Sequence, residues 1–246
     1  MHPTTNATVA SHGTTLLDVP KRIEVTLSPS DIVIPFDYQN VLAHSINDIL
    51  RIKTITDTNS MHSFSWLRTP DGAAYKVEAD MGFRFHDGAK FSLSSYNPDL
   101  IDEFIEYIKD DNEYPIIGGM TVQQIVEVEP PEFKPTTRLF LTSPALVKKT
   151  VGGVVRHLTY DDPEAAVYMS NAIKAKMEAA GIDGDAFLRF DSRYSKAKMK
   201  LVRMNNIMNK CSICPVIVEA SSAEVVEFIW TVGVGHHTGD GFGSVM

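Results

Sequence analysis

Cysteine is scarce: the 246 residues contain only Cys211 and Cys214. A structural zinc site needs four ligands. With no second pair, this lone C-x-x-C reads as two small buried or half-buried residues. So few thiols suit a reducing cytosol, and a cytoplasmic location is expected. No run of 18 apolar residues exists, which excludes a membrane-spanning helix. Residues 1–21 are rich in Thr, carry Pro3 and Pro20, and lack the apolar stretch of a secretory signal. They are expected to form a flexible N-terminal extension. No His/Asp/Glu cluster has metal-ligand spacing, so neither a metal nor a cofactor is expected. Basic residues are outnumbered as well. The 23 Lys and Arg stand against 31 Asp and Glu, a net charge of −8 that by itself argues against a nucleic-acid partner.

Charge segregation changes that last inference. Asp99 to Glu113 holds seven acidic residues and one basic residue, Lys109. Arg189 to Arg203 holds Arg189, Arg193, Lys196, Lys198, Lys200 and Arg203 against Asp191 alone. Such a concentration can neutralise several phosphates on an otherwise acidic protein. A solvated strand or hairpin face has the same composition. Composition leaves the two alternatives open.

The apolar pattern is that of an α+β protein. Arg22 to Leu27 alternates, with Ile23, Val25 and Leu27 on one face, as a half-buried strand does. Asp37 to Leu50 puts Leu42, Ile46, Ile49 and Leu50 on one helical stripe and Asn40, His44, Asn47 and Arg51 on the other. Residues 83–93 read as a hairpin turning at Asp87-Gly88. A helix is expected over Pro98–Ile108 and a strand over Val122–Val128. Pro130 and Pro131 mark a boundary. Beyond it come a strand at Arg138–Thr142 and a helix from Asp162 to Ala180, with Asp162 as N-cap and Gly181 past its end. Strands follow at Ala186–Phe190, Met199–Met204 and Pro215–Glu219. Ser221 opens a helix through Trp230, and a short strand is expected at Phe242–Val245. Each half thus runs strand, helix, two strands, helix, strand. That order defines two tandem ferredoxin-like (split βαβ) domains, residues 22–130 and 136–246. Fold alone assigns no activity.

The glycine-rich loop 233–243 carries more information. Gly233, Gly235, Gly239, Gly241 and Gly243 fall within eleven residues, after a helix and before a strand. Glycine allows positive φ and close backbone approach, so successive N–H groups can face a phosphate. The loop is neither a dinucleotide fingerprint nor a P-loop, whose motifs open helices. A glycine C-cap accounts for one of the five.

A "G-x-G … G-F-G" loop after an apolar helix resembles the hallmark of the repeat-associated RNA-binding superfamily of CRISPR systems. Other segments resemble its repeat-processing endoribonucleases in the same order along the chain. Ile34-Pro35-Phe36-Asp37-Tyr38-Gln39 is similar to that family's "P-F-N-Y" segment and Met61-His62-Ser63-Phe64-Ser65 to its "F-T-F-S" strand. Leu141-Thr142-Ser143-Pro144 is similar to "L-S-P", and Tyr160-Asp161-Asp162-Pro163 to the lead into the second helix of that half. The resemblance implies recognition of CRISPR repeat RNA within a precursor transcript, and one metal-independent cut. The 2′-hydroxyl attacks the adjacent phosphate, leaving 2′,3′-cyclic phosphate and 5′-hydroxyl ends. It also implies, as further partners, a CRISPR interference complex or fused adaptation domains.

Such a cut needs a base, an acid and cations for the phosphorane charge. The chain departs from the family pattern here. Asn47 stands at the usual tyrosine position on the first helix, and the loop after that helix has no histidine. His44, one turn earlier, takes the proton-transfer role in this reading, because histidine titrates near neutral pH. Arg51 and Lys53 would stabilise phosphate charge. RNA contacts are assigned to Arg189, Arg193, Lys196, Lys198, Lys200 and Arg203, and to the loop through Gly233, Gly235, His236, His237, Gly239, Gly241 and Gly243. A non-catalytic RNA-binding subunit, or a ferredoxin-like enzyme holding a small nucleotide, would share most of these features.

Overall fold

Alternating apolar residues build strand β1 (Lys21–Leu27) in the computed structural model, which describes residues 21–52, 60–70, 76–78 and 81–246. The N-terminal extension expected before β1 and Lys53 lie outside these residues. After β1 come β2 (Ile34–Pro35), α1 (Gln39–Ile49), β3 (His62–Phe64), β4 (Lys76–Glu78), β5 (Gly82–Arg84), β6 (Ala89–Ser95), α2 (Pro98–Asp110) and β7 (Val122–Glu127). The main sheet of this half has the order β3-β6-β1-β7, with antiparallel neighbours. Leu42 and Ile46 of α1 and Ile101 and Phe104 of α2 share a core with Ile23, Val25, Phe91 and Leu93 of the sheet. Asn97 caps α2 by accepting from the Asp99 amide, and Pro98 opens it, where the sequence pattern starts the helix.

The second half contains β8 (Thr136–Leu139), β9 (Val147–Val151), β10 (Val154–Leu158), α3 (Ala165–Ala180), β11 (Ala186–Phe190), β12 (Lys198–Met204), β13 (Ile207–Ile213), β14 (Val216–Ala220) and α4 (Ala223–Val232). Its sheet has the order β11-β14-β8. The last residues extend it: Val245 bridges Leu141, and Phe140 and Met246 exchange backbone hydrogen bonds. Both halves are ferredoxin-like, and two separate hairpins, β9–β10 and β12–β13, project from the second.

Several local expectations change. Residues 83–85 and 91–93 are not paired, because β5 joins β2 and β4 in a second small sheet while β6 belongs to the main one. Asp87-Gly88 is a turn between sheets, with Gly88 at φ 82. The cap of α4 is Ser222, whose hydroxyl accepts from the Val225 amide, and not Ser221. Asp162 lies just ahead of α3, whose N-cap is Glu164, and accepts from the Glu164 amide. Phe242–Val245 contributes a bridge instead of a full strand.

The halves meet around the C-terminal end of α4. A helix end leaves carbonyls without intrahelical partners, and here that end is buried. The Arg22 guanidinium donates to Trp230 O at 2.5 Å and Val245 O at 2.8 Å and stacks on the Trp230 ring. Ser63 and Ser94 hydroxyls both donate to Thr231 O, at 2.9 and 2.8 Å. The Lys176 ammonium donates to Val232 O at 3.0 Å. Arg22 therefore does not face water, as strand alternation alone would place it. Burial, with Arg68 nearby, pushes its pKa down to about 9.

Candidate active site

The exposed side of α1 forms one wall of a cleft of about 750 Å³. His44, one turn before Asp48, is exposed on it. Asn47 also reaches the cleft but is buried, its amide donating to Gly239 O at 3.4 Å. It does not belong to a solvent-facing stripe. Arg51 closes the helix in a left-handed conformation, φ 52, and lines the cleft from that end. The opposite wall is made by His237 and Asp240 of the glycine loop with Met204 and Asn205 of the β12–β13 turn.

The loop gets its shape from its glycines. Gly233, Gly235, Gly241 and Gly243 have φ between 63 and 82, and all five glycines are buried. A Cβ on Gly243 would stand 1.9 Å from Val234 O, and one on Gly239 would stand 2.1 Å from Ser60 Oγ. Many amides of the loop are engaged internally: Val234 donates to Gly243 O, His236 to Leu146 O, Phe242 to His237 O and Gly243 to Pro144 O. The glycines thus serve close packing, and the loop meets the cleft with side chains. The Lys176 ammonium, buried on α3, also donates to Thr238 Oγ1 at 2.7 Å, and that hydroxyl donates to His62 O.

His237 itself has φ 58. Its Nδ1 is 2.8 Å from Asp240 Oδ2, and its Nε2 meets the Lys148 ammonium from β9. His237 and Asp240 also line a second cavity of about 340 Å³ on the far side, with Leu146, Val155, His157, Ile207 and Phe242. His157 sits there with its pKa lowered, first by burial. His62 is buried under the loop, and burial, then the nearby Lys176, pushes its pKa down to about 4.

The basic stretch is divided by strand geometry, since successive residues of β12 point to opposite faces. Lys200 shares the side of buried Val202 and Met204, and its ammonium stands over the Trp66 ring at 4.7 Å. Arg203 is exposed on the other side with Leu201. Lys196 and Lys198 are exposed near the start of the strand. Arg189 pairs with Glu219 at 3.3 Å, and Arg193 lies beside Asp191, which Arg138 also engages. Neither Arg189 nor Arg193 lines the cleft.

Cys211 and Cys214 are both buried thiols, whose pKa burial pushes up to about 12 and about 11. Among the described residues no three His, Cys, Asp or Glu side chains converge as a metal site requires, and no helix is long and apolar enough to cross a membrane. Sequence reasoning missed Lys148, Asp240 and Asn205. Asp240 was the most accessible of these, three residues after His237.

Two ferredoxin-like units carry a buried glycine loop between α4 and the bridge from Val245 to Leu141. Residues 128–246 match the family model described as CRISPR associated protein Cas6, C-terminal. The matched residues, just under half of the chain, thus form a Cas6 C-terminal domain. No curated protein matches its sequence. Among solved structures it is similar to one described as the characterization of a Cas6-related gene from Pyrococcus furiosus. The TM-score is 0.77 at 22% identity, over 92% of this chain and 98% of the other. It is also similar to a CRISPR associated protein Cas6, with TM-score 0.77, 21% identity and the same coverages. A third, a RAMP protein binding different RNA substrates, gives 0.74 at 23%, again over 92% and 98%.

Proposed function

We propose that the chain binds CRISPR repeat RNA and cuts the precursor transcript without a metal. In this reading the 2′-hydroxyl attacks the adjacent phosphate, leaving a 2′,3′-cyclic phosphate and a 5′-hydroxyl. The observation that carries it is the cleft in which His44, Arg51 and His237 come together. Imidazoles can move protons near neutral pH, and a guanidinium can meet phosphorane charge. His44 is the principal proton-transfer group, Arg51 the phosphate contact at the helix end, with Lys53 following it in sequence. Strand β12, which carries Lys198, Lys200 and Arg203, ends at the cleft with Met204. Those cations, with Lys196, would track the RNA backbone. Arg189 and Arg193 would extend the basic track only if RNA displaces their carboxylate partners. The glycines support RNA engagement through the shape they give the loop, and His236 and His237 are its contact side chains.

Labelled repeat RNA from the protein's own array, incubated with excess EDTA, tests this. Cleavage should persist and leave no 3′-hydroxyl on the upstream fragment. His44→Ala should keep repeat affinity while single-turnover cleavage falls at least about 100-fold. Strict dependence on a divalent ion refutes the mechanism. Tight binding with intact RNA favours a non-catalytic RNA-binding subunit instead.

A further inference from the structure

The mechanism above names one proton-transfer group, yet phosphoryl transfer to a 2′-oxygen moves two protons. Resting on that reading, we propose that His237 is the second catalytic residue, the base that takes the 2′-hydroxyl proton, with Asp240 as its positioning residue.

The hydrogen bonds determine the tautomer. A carboxylate only accepts, so Asp240 Oδ2 at 2.8 Å requires a proton on His237 Nδ1. An ammonium only donates, so Lys148 requires a lone pair on Nε2. In this tautomer the basic nitrogen of the ring is turned toward a cation. A substrate phosphate entering beside Lys148 offers that ammonium a stronger acceptor than imidazole. As Lys148 moves to the phosphate, Nε2 becomes available to the neighbouring 2′-hydroxyl. The left-handed backbone of His237 supports the assignment. A non-glycine residue at φ 58 is uncommon, and this conformation aims the ring between Asp240 and Lys148.

The two cavities provide room for the substrate. His237 and Asp240 line both, so a phosphate held beside them has open volume on each side. The step balances as follows. The 2′-oxygen bonds to phosphorus as its proton passes to Nε2 of His237. The bond from phosphorus to the 5′-oxygen breaks, and the imidazolium of His44 gives its proton to that oxygen. The products are the cyclic phosphate and a 5′-hydroxyl, and the two histidines end with exchanged protonation states.

Among the described residues, the charged and titratable groups facing His237 are Asp240 on its own turn and Lys148 from β9. His44, Asp48 and Arg51 face it from α1, and His157 from β10 across the second cavity. Asp240 favours the imidazolium and Lys148 opposes it.

The test is single-turnover cleavage across pH, with binding measured on repeat RNA carrying a 2′-deoxy nucleotide at the cut. His237→Gly is the main variant, because glycine accepts φ 58 and leaves space for a free ring. It should cut at least about 100-fold more slowly, a far larger loss than the modest drop in affinity from one missing RNA contact, and recover rate when free imidazole is added. Asp240→Asn should slow cleavage and move the acidic limb of the pH–rate profile to lower pH, since the ring loses its anionic partner. Wild-type cutting by His237→Gly, or lost affinity without imidazole rescue, overturns the inference while the His44 reading stands. A wild-type protein that leaves the RNA whole overturns both.

Discussion

Replacing Lys176 by Met removes a buried ammonium while keeping nearly the same shape. Its Nζ donates to Val232 O at 3.0 Å and to Thr238 Oγ1 at 2.7 Å, and the residue is 1% exposed. The variant leaves the carbonyl without this donor, and the hydroxyl loses a charged donor where water does not reach. Each buried acceptor left unsatisfied costs about 1–3 kcal/mol. Part of this is offset, because the variant no longer has to desolvate a cation. The expected net loss is about 2–4 kcal/mol, which for a chain of this size lowers Tm by about 5–15 °C. Urea titration followed by tryptophan fluorescence measures it, and Lys174→Met, at an exposed site on the same helix, is the control, expected within about 0.5 kcal/mol of the wild type. A Lys176→Met loss below about 1 kcal/mol would refute the claim that this ammonium holds the loop to the helix end.

His62 makes stability fall with acid. Its folded pKa, about 4, lies below the unfolded value of 6.5, so the unfolded chain binds the proton first. Stability is full above pH 6.5 and declines toward pH 4, by about 2 kcal/mol at pH 5 from this residue. His62→Gln should flatten that slope in urea titrations at successive pH values. Gly243→Ala, whose Cβ would meet Val234 O at 1.9 Å, should destabilise by more than about 2 kcal/mol or abolish soluble expression. Both thiols should resist iodoacetamide in the folded protein and react only in denaturant, as mass spectrometry would show. Changing Lys196, Lys198, Lys200 and Arg203 together to Ala should weaken repeat binding and flatten its salt dependence. An unchanged slope would make these residues a solvated face.

Much of the fold was legible because its helices carry unambiguous apolar stripes. Leu42, Ile46 and Ile49 fixed α1, and Ile101, Phe104 and Ile108 fixed α2. Gly181, at φ 68, ends α3 where the pattern placed it. The β9–β10 hairpin was missed although Gly152-Gly153 is a hairpin signature. Its Val151, Val154 and Val155 are exposed, so apolar alternation there signals no buried face. The β12–β13 turn uses Asn205-Asn206, both at positive φ, in place of the expected glycine. Lys176 was legible in principle, since it follows Ala165, Met169 and Ile173 along the buried stripe of α3. The candidate site was half visible. His44 and Arg51 follow from helical spacing, whereas the meeting of His237, Asp240 and Lys148 depends on a loop folding back over β9, which no local pattern encodes.

The helix end shared by Arg22 and Lys176 also bears on how this protein can be taken apart. A fragment starting at the second half would keep α4 and its sheet but would lose the Arg22 guanidinium and the Ser63 and Ser94 hydroxyls. Trp230 O, Thr231 O and Val245 O would lose those donors at a newly opened surface. The family boundary near residue 128 is thus a division of sequence and not of folding. Split versions should be recovered only as co-expressed, non-covalently reassembled pairs, with Arg22 acting as the latch between them.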